Sequence, residues 1–188
     1  MDNTEVTFKR LFFAVMLDDS LKETLMKLIH SLKKLSANRS IHWTRPNNLH
    51  LTLHFIGNTP LDKIPQLLRN VQQNIALFPS FQLNFSHLHL FPPSSHPHVL
   101  TLSIVPSMPL TELVTKIRQG VIDTQLTGDK KPYIPHITLG KFKQLPNLKT
   151  RQQQIKLPPL FVEQIALVQS QSTVKGVEYH VIEVVKLK

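Results

Sequence analysis

An α+β protein built from two similar halves is the fold class this sequence predicts, and three observations predict it. Short apolar runs of strand length alternate with longer stretches whose apolar residues recur at helical spacing. The order strand, helix, strand occurs twice. Each second strand begins with the same polar-apolar pattern, His50-Leu51-Thr52-Leu53 and His136-Ile137-Thr138-Leu139, nearly half of the 188 residues apart. Such self-similarity marks an internal duplication.

The elements follow in order. Residues 11–17 are a charge-bounded apolar run, the first strand. Ser20 and Glu23 form a capping box ahead of Leu21, Leu25, Leu28, Leu32 and Leu35, with Lys33 and Lys34 suited to the end of that helix. A strand over 48–56 closes at Gly57, and Ile64, Leu67, Leu68, Val71 and Ile75 line a second helix that tolerates Pro65 only in its first turn. Residues 81–90 read as a strand. In the second half, 98–105 is a strand, Leu110, Leu113, Val114, Ile117 and Val121 form one helix stripe, and 135–142 is the strand with the second histidine. Residues 161–169 and 178–187 supply the last two strands. The proline-rich stretch 92–97 connects approximate halves 1–91 and 98–188, too short a linker to separate independent domains, so one two-lobed domain over 1–188 is expected. Residues 144–159 lack periodicity and read as a loop.

With 41% hydrophobic and 18% charged residues the chain can bury a core, which excludes general disorder. A formal net charge of +10 favours polyanions or anionic lipid surfaces, so phosphate-bearing partners lead. The absence of cysteine removes disulfides, thiolate metal sites and cysteine nucleophiles together. No apolar stretch approaches the ~20 residues a membrane span needs, so a soluble, cytoplasmic protein without membrane partners is expected.

In an extended strand His50 and Thr52 point one way while Leu51 and Leu53 point the other, and His136 and Thr138 repeat this. One such pair alone is more often structural than catalytic. Two pairs on two apolar strands incur the desolvation cost twice unless a shared cleft hydrates both. Two imidazoles and two hydroxyls converging on a small anion suit cleavage of a cyclic phosphodiester: one imidazole takes a proton from water, the other protonates the leaving oxygen, and the hydroxyls hold the non-bridging oxygens.

Three strings, 9–15, 43–57 and 135–139, resemble the RNA 2′,3′-cyclic phosphodiesterases of the two-histidine phosphoesterase superfamily, the LigT and ThpR proteins also called 2′-5′ RNA ligases. The spacing of Leu167, Ser170, Gly176, Tyr179 and Leu187 extends the likeness to the last strand. The resemblance implies a bilobal fold with two antiparallel sheets lining a central groove and helices outside. It implies metal-independent opening of an RNA end or nucleotide 2′,3′-cyclic phosphate to a 2′-phosphomonoester, with no cofactor and with a monomer favoured. His50 would be the proton donor to O3′ and His136 the proton acceptor from water. Thr52, Thr138 and Lys141 would bind phosphate, and Phe55 would stack on the terminal base. Strict alternation sets Phe55 and Lys141 on the faces opposite the histidines, so a bend near Gly57 is required for Phe55. Lys141 stands where the family usually has a two-pronged arginine, with Lys143 or Arg45 able to share its charge; Ile134 also replaces a common arginine. Reversible 2′-5′ ligation and a catalytically weak RNA-binding module are the alternative functions.

Among the remaining features, His54 is expected on the strand face of His50, bordering the cleft. His87, His89, His96 and His98 lack flanking carboxylates and read as surface histidines rather than metal ligands. Lys130 and Lys131 read as a solvated turn, and Trp43 and Arg45 lie near the groove.

Overall fold

The first apolar run forms β1 (Phe8–Met16), and Asp18 then turns the chain into α1 (Asp19–Leu35). The cap differs from the expected box. Asp18 Oδ1 accepts the Leu21 N–H at 2.7 Å, whereas Ser20 lies inside the helix with its carbonyl accepting from the Thr24 hydroxyl. Aspartate here answers an orphan donor and places a negative charge at the positive end of the helix dipole. Leu21, Leu25, Ile29 and Leu32 are buried, while Leu35, in the last turn, is 64% exposed. The computed structural model describes residues 7–35, 41–93, 96–144, 155–174 and 176–188, so most of the loop expected at 144–159 lies outside the described residues.

A short strand that the sequence did not signal, β2 (Ile41–Trp43), precedes a 3-10 turn at Pro46–Asn48 and the long β3 (His50–Pro60). The strand passes through Gly57 instead of ending there; that residue has φ +88°, which glycine adopts without steric cost. Then come α2 (Ile64–Ile75), with Pro65 in its first turn, β4 (Phe81–Leu83), β5 (Phe85–Phe91) and β6 (Val99–Ile104). Helix α3 (Met108–Asp123) is capped by the Ser107 hydroxyl and buries all five residues of its expected stripe. The chain closes with β7 (His136–Phe142), β8 (Leu160–Val162), β9 (Gln164–Thr173) and β10 (Gly176–Lys186).

Every pairing among the described strands is antiparallel. The main sheet runs β10-β9-β1-β3-β7-β6-β5, with β2 beside β7, and β4 and β8 form a separate pair. The expected two antiparallel sheets meet as parts of this one sheet, because β3 and β7 share a single register pair, Leu51 with Ile137. Strands are exchanged between the sequence halves: β2 joins β7, and β9 with β10 extends the sheet beyond β1.

One face of the sheet carries the main core. Leu11, Phe13, Val15, Leu51, Leu53, Leu102, Ile137 and Leu139 pack there with the buried stripes of the three helices. Leucine-rich burial of this kind contributes about 1.5–3 kcal/mol per side chain, so this face fixes the strand register. The other face carries a small cluster of Phe12, Ala14, Ala166 and Val168, with Met16, Phe55 and Tyr179 packed partly against it. Burial of Leu51 and Ile137 on the first face turns their neighbours toward the second.

Candidate active site

An antiparallel pair is locally two-fold symmetric about its register point. With Leu51 opposite Ile137, extension by one residue each way sets His50 toward Thr138 and Thr52 toward His136. All four polar side chains then share the face that the core does not occupy, each half-buried between fully buried neighbours. The helix-packed leucines thus aim the polar groups.

Both strands break strict alternation at the same step. Along β3, Thr52 pairs with Ala14 and His54 with Phe13, so Leu53 is an extra residue and Phe55 pairs with Phe12. Along β7, Thr138 pairs with Thr101 and Gly140 with Leu100, so Leu139 is extra and Lys141 pairs with Val99. A one-residue bulge resets the pleat. Phe55 and Lys141, each five residues after its histidine, therefore come to the face of His50 and His136. The bend the sequence required near Gly57 lies instead at Leu53-His54, and a further irregularity follows at Ile56. The same bulge overturns the expectation for His54, which sits on the helix side, 5% exposed and paired with Phe13.

The two imidazoles are held alike. His50 Nδ1 lies 2.8 Å from the Asn48 carbonyl and His136 Nδ1 lies 2.8 Å from the Ile134 carbonyl. A carbonyl only accepts, so each Nδ1 carries the proton and each neutral ring presents the Nε2 lone pair. The Thr52 hydroxyl donates to His50 Nε2 at 3.0 Å. Aromatic rings back both: Phe12 and Tyr179 lie 5.0 Å from the His50 ring, and Phe91 stacks on His136 at 4.8 Å. Burial pushes the His50 pKa down to about 4, with the charges of His136 and Lys141 adding to the effect and the Asn48 carbonyl opposing it. His136 is lowered chiefly by burial as well, against the Ile134 carbonyl, with His89 contributing. Burial raises the Tyr179 hydroxyl, which therefore stays protonated at neutral pH.

A cleft of about 690 Å³ opens over β3 and β7. His50, Thr52, Thr138 and Lys141 line it together, with Arg45, Trp43, Lys33 and His42 extending it along β2 and α1. Among the described residues no carboxylate lines it, so its field favours an anion. Arg45 joins the lining and Lys143 does not. Phe55 lies beside it rather than in its wall, one ring face 6.0 Å from Phe12 in near-parallel stacking and the Arg10 guanidinium carbon 5.0 Å from its centroid. His136 borders the same face but is absent from the cleft lining, its ring held against Phe91.

Sequence reasoning missed Phe12, Phe91, Asn48, Lys33 and His42. Asn48 had a signal, because it closely precedes the first motif, and its side chain also donates to the Val177 carbonyl at 2.8 Å. Phe12 and Phe91 lie far from their histidines in sequence and only strand pairing brings them close. Among the described residues, no group of three His, Cys, Asp or Glu side chains is placed to hold a metal ion. No helix among them is long and apolar enough to cross a membrane.

Comparison with known proteins gives one consistent family. A family model described as the 2′-5′ RNA ligase superfamily matches residues 11–173. The RNA 2′,3′-cyclic phosphodiesterase of Thermotoga maritima is 26% identical over 154 residues, 81% of each chain. That of Methanothermobacter thermautotrophicus is 24% identical, spanning 95% of this chain and 98% of its own. Among solved structures, the Thermus thermophilus protein TT0787 superposes with a TM-score of 0.77 at 28% identity over 95% of this chain and 97% of its own. E. coli LigT in complex with 3′-AMP has a similar fold, with a TM-score of 0.75 at 23% identity over 97% and 99%.

Proposed function

The chain belongs to the 2′-5′ RNA ligase superfamily, and from that premise we propose that it hydrolyses the 2′,3′-cyclic phosphate at an RNA end or on a nucleotide to a 2′-phosphomonoester. The observation that carries this reading is the pairing of Leu51 with Ile137, which turns His50, Thr52, His136 and Thr138 to one face. The names of the curated relatives support the reaction class.

In the proposed step, His136 Nε2 takes a proton from water as its oxygen bonds to phosphorus. The P–O3′ bond breaks, and O3′ takes a proton from His50 Nε2. The phosphate stays on O2′. Proton transfers by positioned groups of this kind contribute typically 10²–10⁴-fold each. Burial keeps His50 neutral before substrate arrives, so Nε2 takes up its proton from solvent as the substrate binds, because a phosphodiester anion beside it favours the imidazolium. Once Nε2 is protonated it no longer accepts from the Thr52 hydroxyl, which turns to a non-bridging oxygen. Thr138 and the Lys141 ammonium hold the others. Phe55 offers the terminal base the ring face that Arg10 covers in the free protein, so the base takes the guanidinium's place there.

The test is incubation of the protein with an RNA ending in a 2′,3′-cyclic phosphate, in buffer containing EDTA, followed by mapping of the terminal phosphate. Multiple turnovers to a 2′-phosphate are expected. A 3′-phosphate product would reverse the ester between the histidines, and dependence on added metal would replace the acid-base scheme.

A further inference from the structure

Behind the catalytic strand lies a second cleft. It has a volume of about 560 Å³, within the range of about 300–1,000 Å³ common for small-molecule sites. His54, Arg118, Ile122, Leu126, Asp129 and Lys130 are among the residues that line it, none of them shared with the cleft over β3 and β7. The bulge at Leu53-His54 creates it, by turning an imidazole to the helix side of the sheet where a pleated strand would place Phe55.

One feature of the lining is unusual for a packing defect. Beside His54, which is 5% exposed, the Nε of Arg118 is buried and has no hydrogen-bond partner among the described residues. Buried polar groups are rarely left without partners unless a ligand or ordered water completes them. Arg118 does donate from Nη2 to the Lys131 carbonyl at 3.1 Å, which holds its guanidinium in place. Asp129 is engaged by its own turn, its Oδ1 accepting the Lys131 N–H at 3.0 Å. Arg118 and Lys130 thus outweigh the single carboxylate. Ile122 and Leu126 add a hydrophobic wall on the α3 side. Gly128 is required at the rim, because a Cβ there would collide with the His54 ring.

We propose that this cleft is a nucleoside monophosphate site separate from the catalytic one. The phosphate meets Arg118 Nε and the Lys130 ammonium, the base lies against Ile122 and Leu126, and His54 offers a ring nitrogen to a polar edge. Charge, the apolar wall and the size of the space together select a ring-bearing anion over a simple one. The occupant touches the loop that grips the catalytic strand. The Asp129 N–H donates to the Phe55 carbonyl at 2.8 Å and the Tyr133 hydroxyl donates to the Thr52 carbonyl at 3.1 Å. Binding there has a direct mechanical route to the bulge that positions Thr52 and Phe55.

Titration of the full chain with 5′-AMP, followed by amide NMR, tests this. Two sets of shifts are expected: one at Leu126–Lys130, the other at Thr52, Thr138 and Lys141. Ile122→Glu, at a residue 58% exposed, and separately Lys130→Glu, should weaken the loop set at least tenfold and leave the second set and the basal hydrolysis rate unchanged. Shifts confined to the catalytic cleft would overturn the proposal, as would a loop set indifferent to both substitutions. Orthophosphate producing the same loop shifts at equal concentration would refute the nucleotide assignment.

Discussion

Strands β3 and β7 use the same device on different chemistry. Each begins with a histidine whose Nδ1 is tied to the carbonyl two residues earlier, follows with a threonine on the same face, and inserts one bulged residue so that the fifth position after the histidine returns to that face. In β3 that position is Phe55, stacked beside Phe12 and covered by Arg10; in β7 it is Lys141, exposed within the cationic cleft. His50 sits between Phe12 and Tyr179 with a hydroxyl on its Nε2, whereas His136 rests on Phe91. Backbone geometry is alike in the two strands. Charge is not, and in the proposed reaction β3 would hold the nucleoside end and β7 the phosphate.

Substitution of the histidines should produce the largest effect and break the comparison if it is false. His50→Ala and His136→Ala are each expected to lower kcat about 10²–10⁴-fold on an RNA with a cyclic phosphate end, with the double variant scarcely worse than either. Single-turnover kinetics on the folded variants check this, and near-normal turnover in either one removes that histidine from the proton transfers.

Position five sharpens the contrast. Lys141→Ala should lower kcat on the order of 100-fold, as loss of a fixed charge at a developing oxyanion typically does, and Lys141→Arg should preserve or raise it. Phe55→Ala should act differently, raising KM about tenfold with little change in kcat, as loss of a stacking platform would. Steady-state kinetics on the same oligonucleotide separate the two; equal effects on kcat would erase the proposed division of labour.

How much of this was readable beforehand follows from which features are local. Strand and helix order, the buried stripe of α3 and the shared face of His50 with Thr52 come from periodicity, a property of neighbouring residues. The bulges at Leu53 and Leu139 do not, because a bulge is defined by what the partner strand pairs with. That is why strict alternation misplaced Phe55, Lys141 and His54 together. The contacts of Phe12, Phe91 and Tyr179 with the histidines depend on sheet order across most of the chain, as does the pairing of β2 with β7. Asp18 capped α1 because it precedes the first turn, whereas Ser20 matched the box pattern two residues too late.

A smaller effect distinguishes the faces of β3. Burial holds both His50 and His54 near a pKa of about 4, below the ordinary 6.5. Between these values the unfolded chain binds more protons at these two rings, so their neutral burial stabilises the fold fully above pH 6.5 and progressively less as pH falls toward 4. Urea midpoints should drop from about pH 7 to about pH 5, and His54→Gln should flatten part of that slope while leaving the pH–rate profile in place. An unchanged slope would mean His54 does not titrate as its burial requires.

Division of the proton transfers between β3 and β7 is tested most directly by changing the leaving group. A nucleoside 4-nitrophenyl phosphodiester expels a leaving group that needs no proton, while a cyclic phosphate expels a ribose oxygen that does. His50→Ala should therefore lose about 10²–10⁴-fold on the cyclic phosphate and far less on the nitrophenyl ester, while His136→Ala loses comparably on both. The reverse ranking would assign the acid to His136, and equal losses for both variants on both substrates would contradict the separate roles altogether.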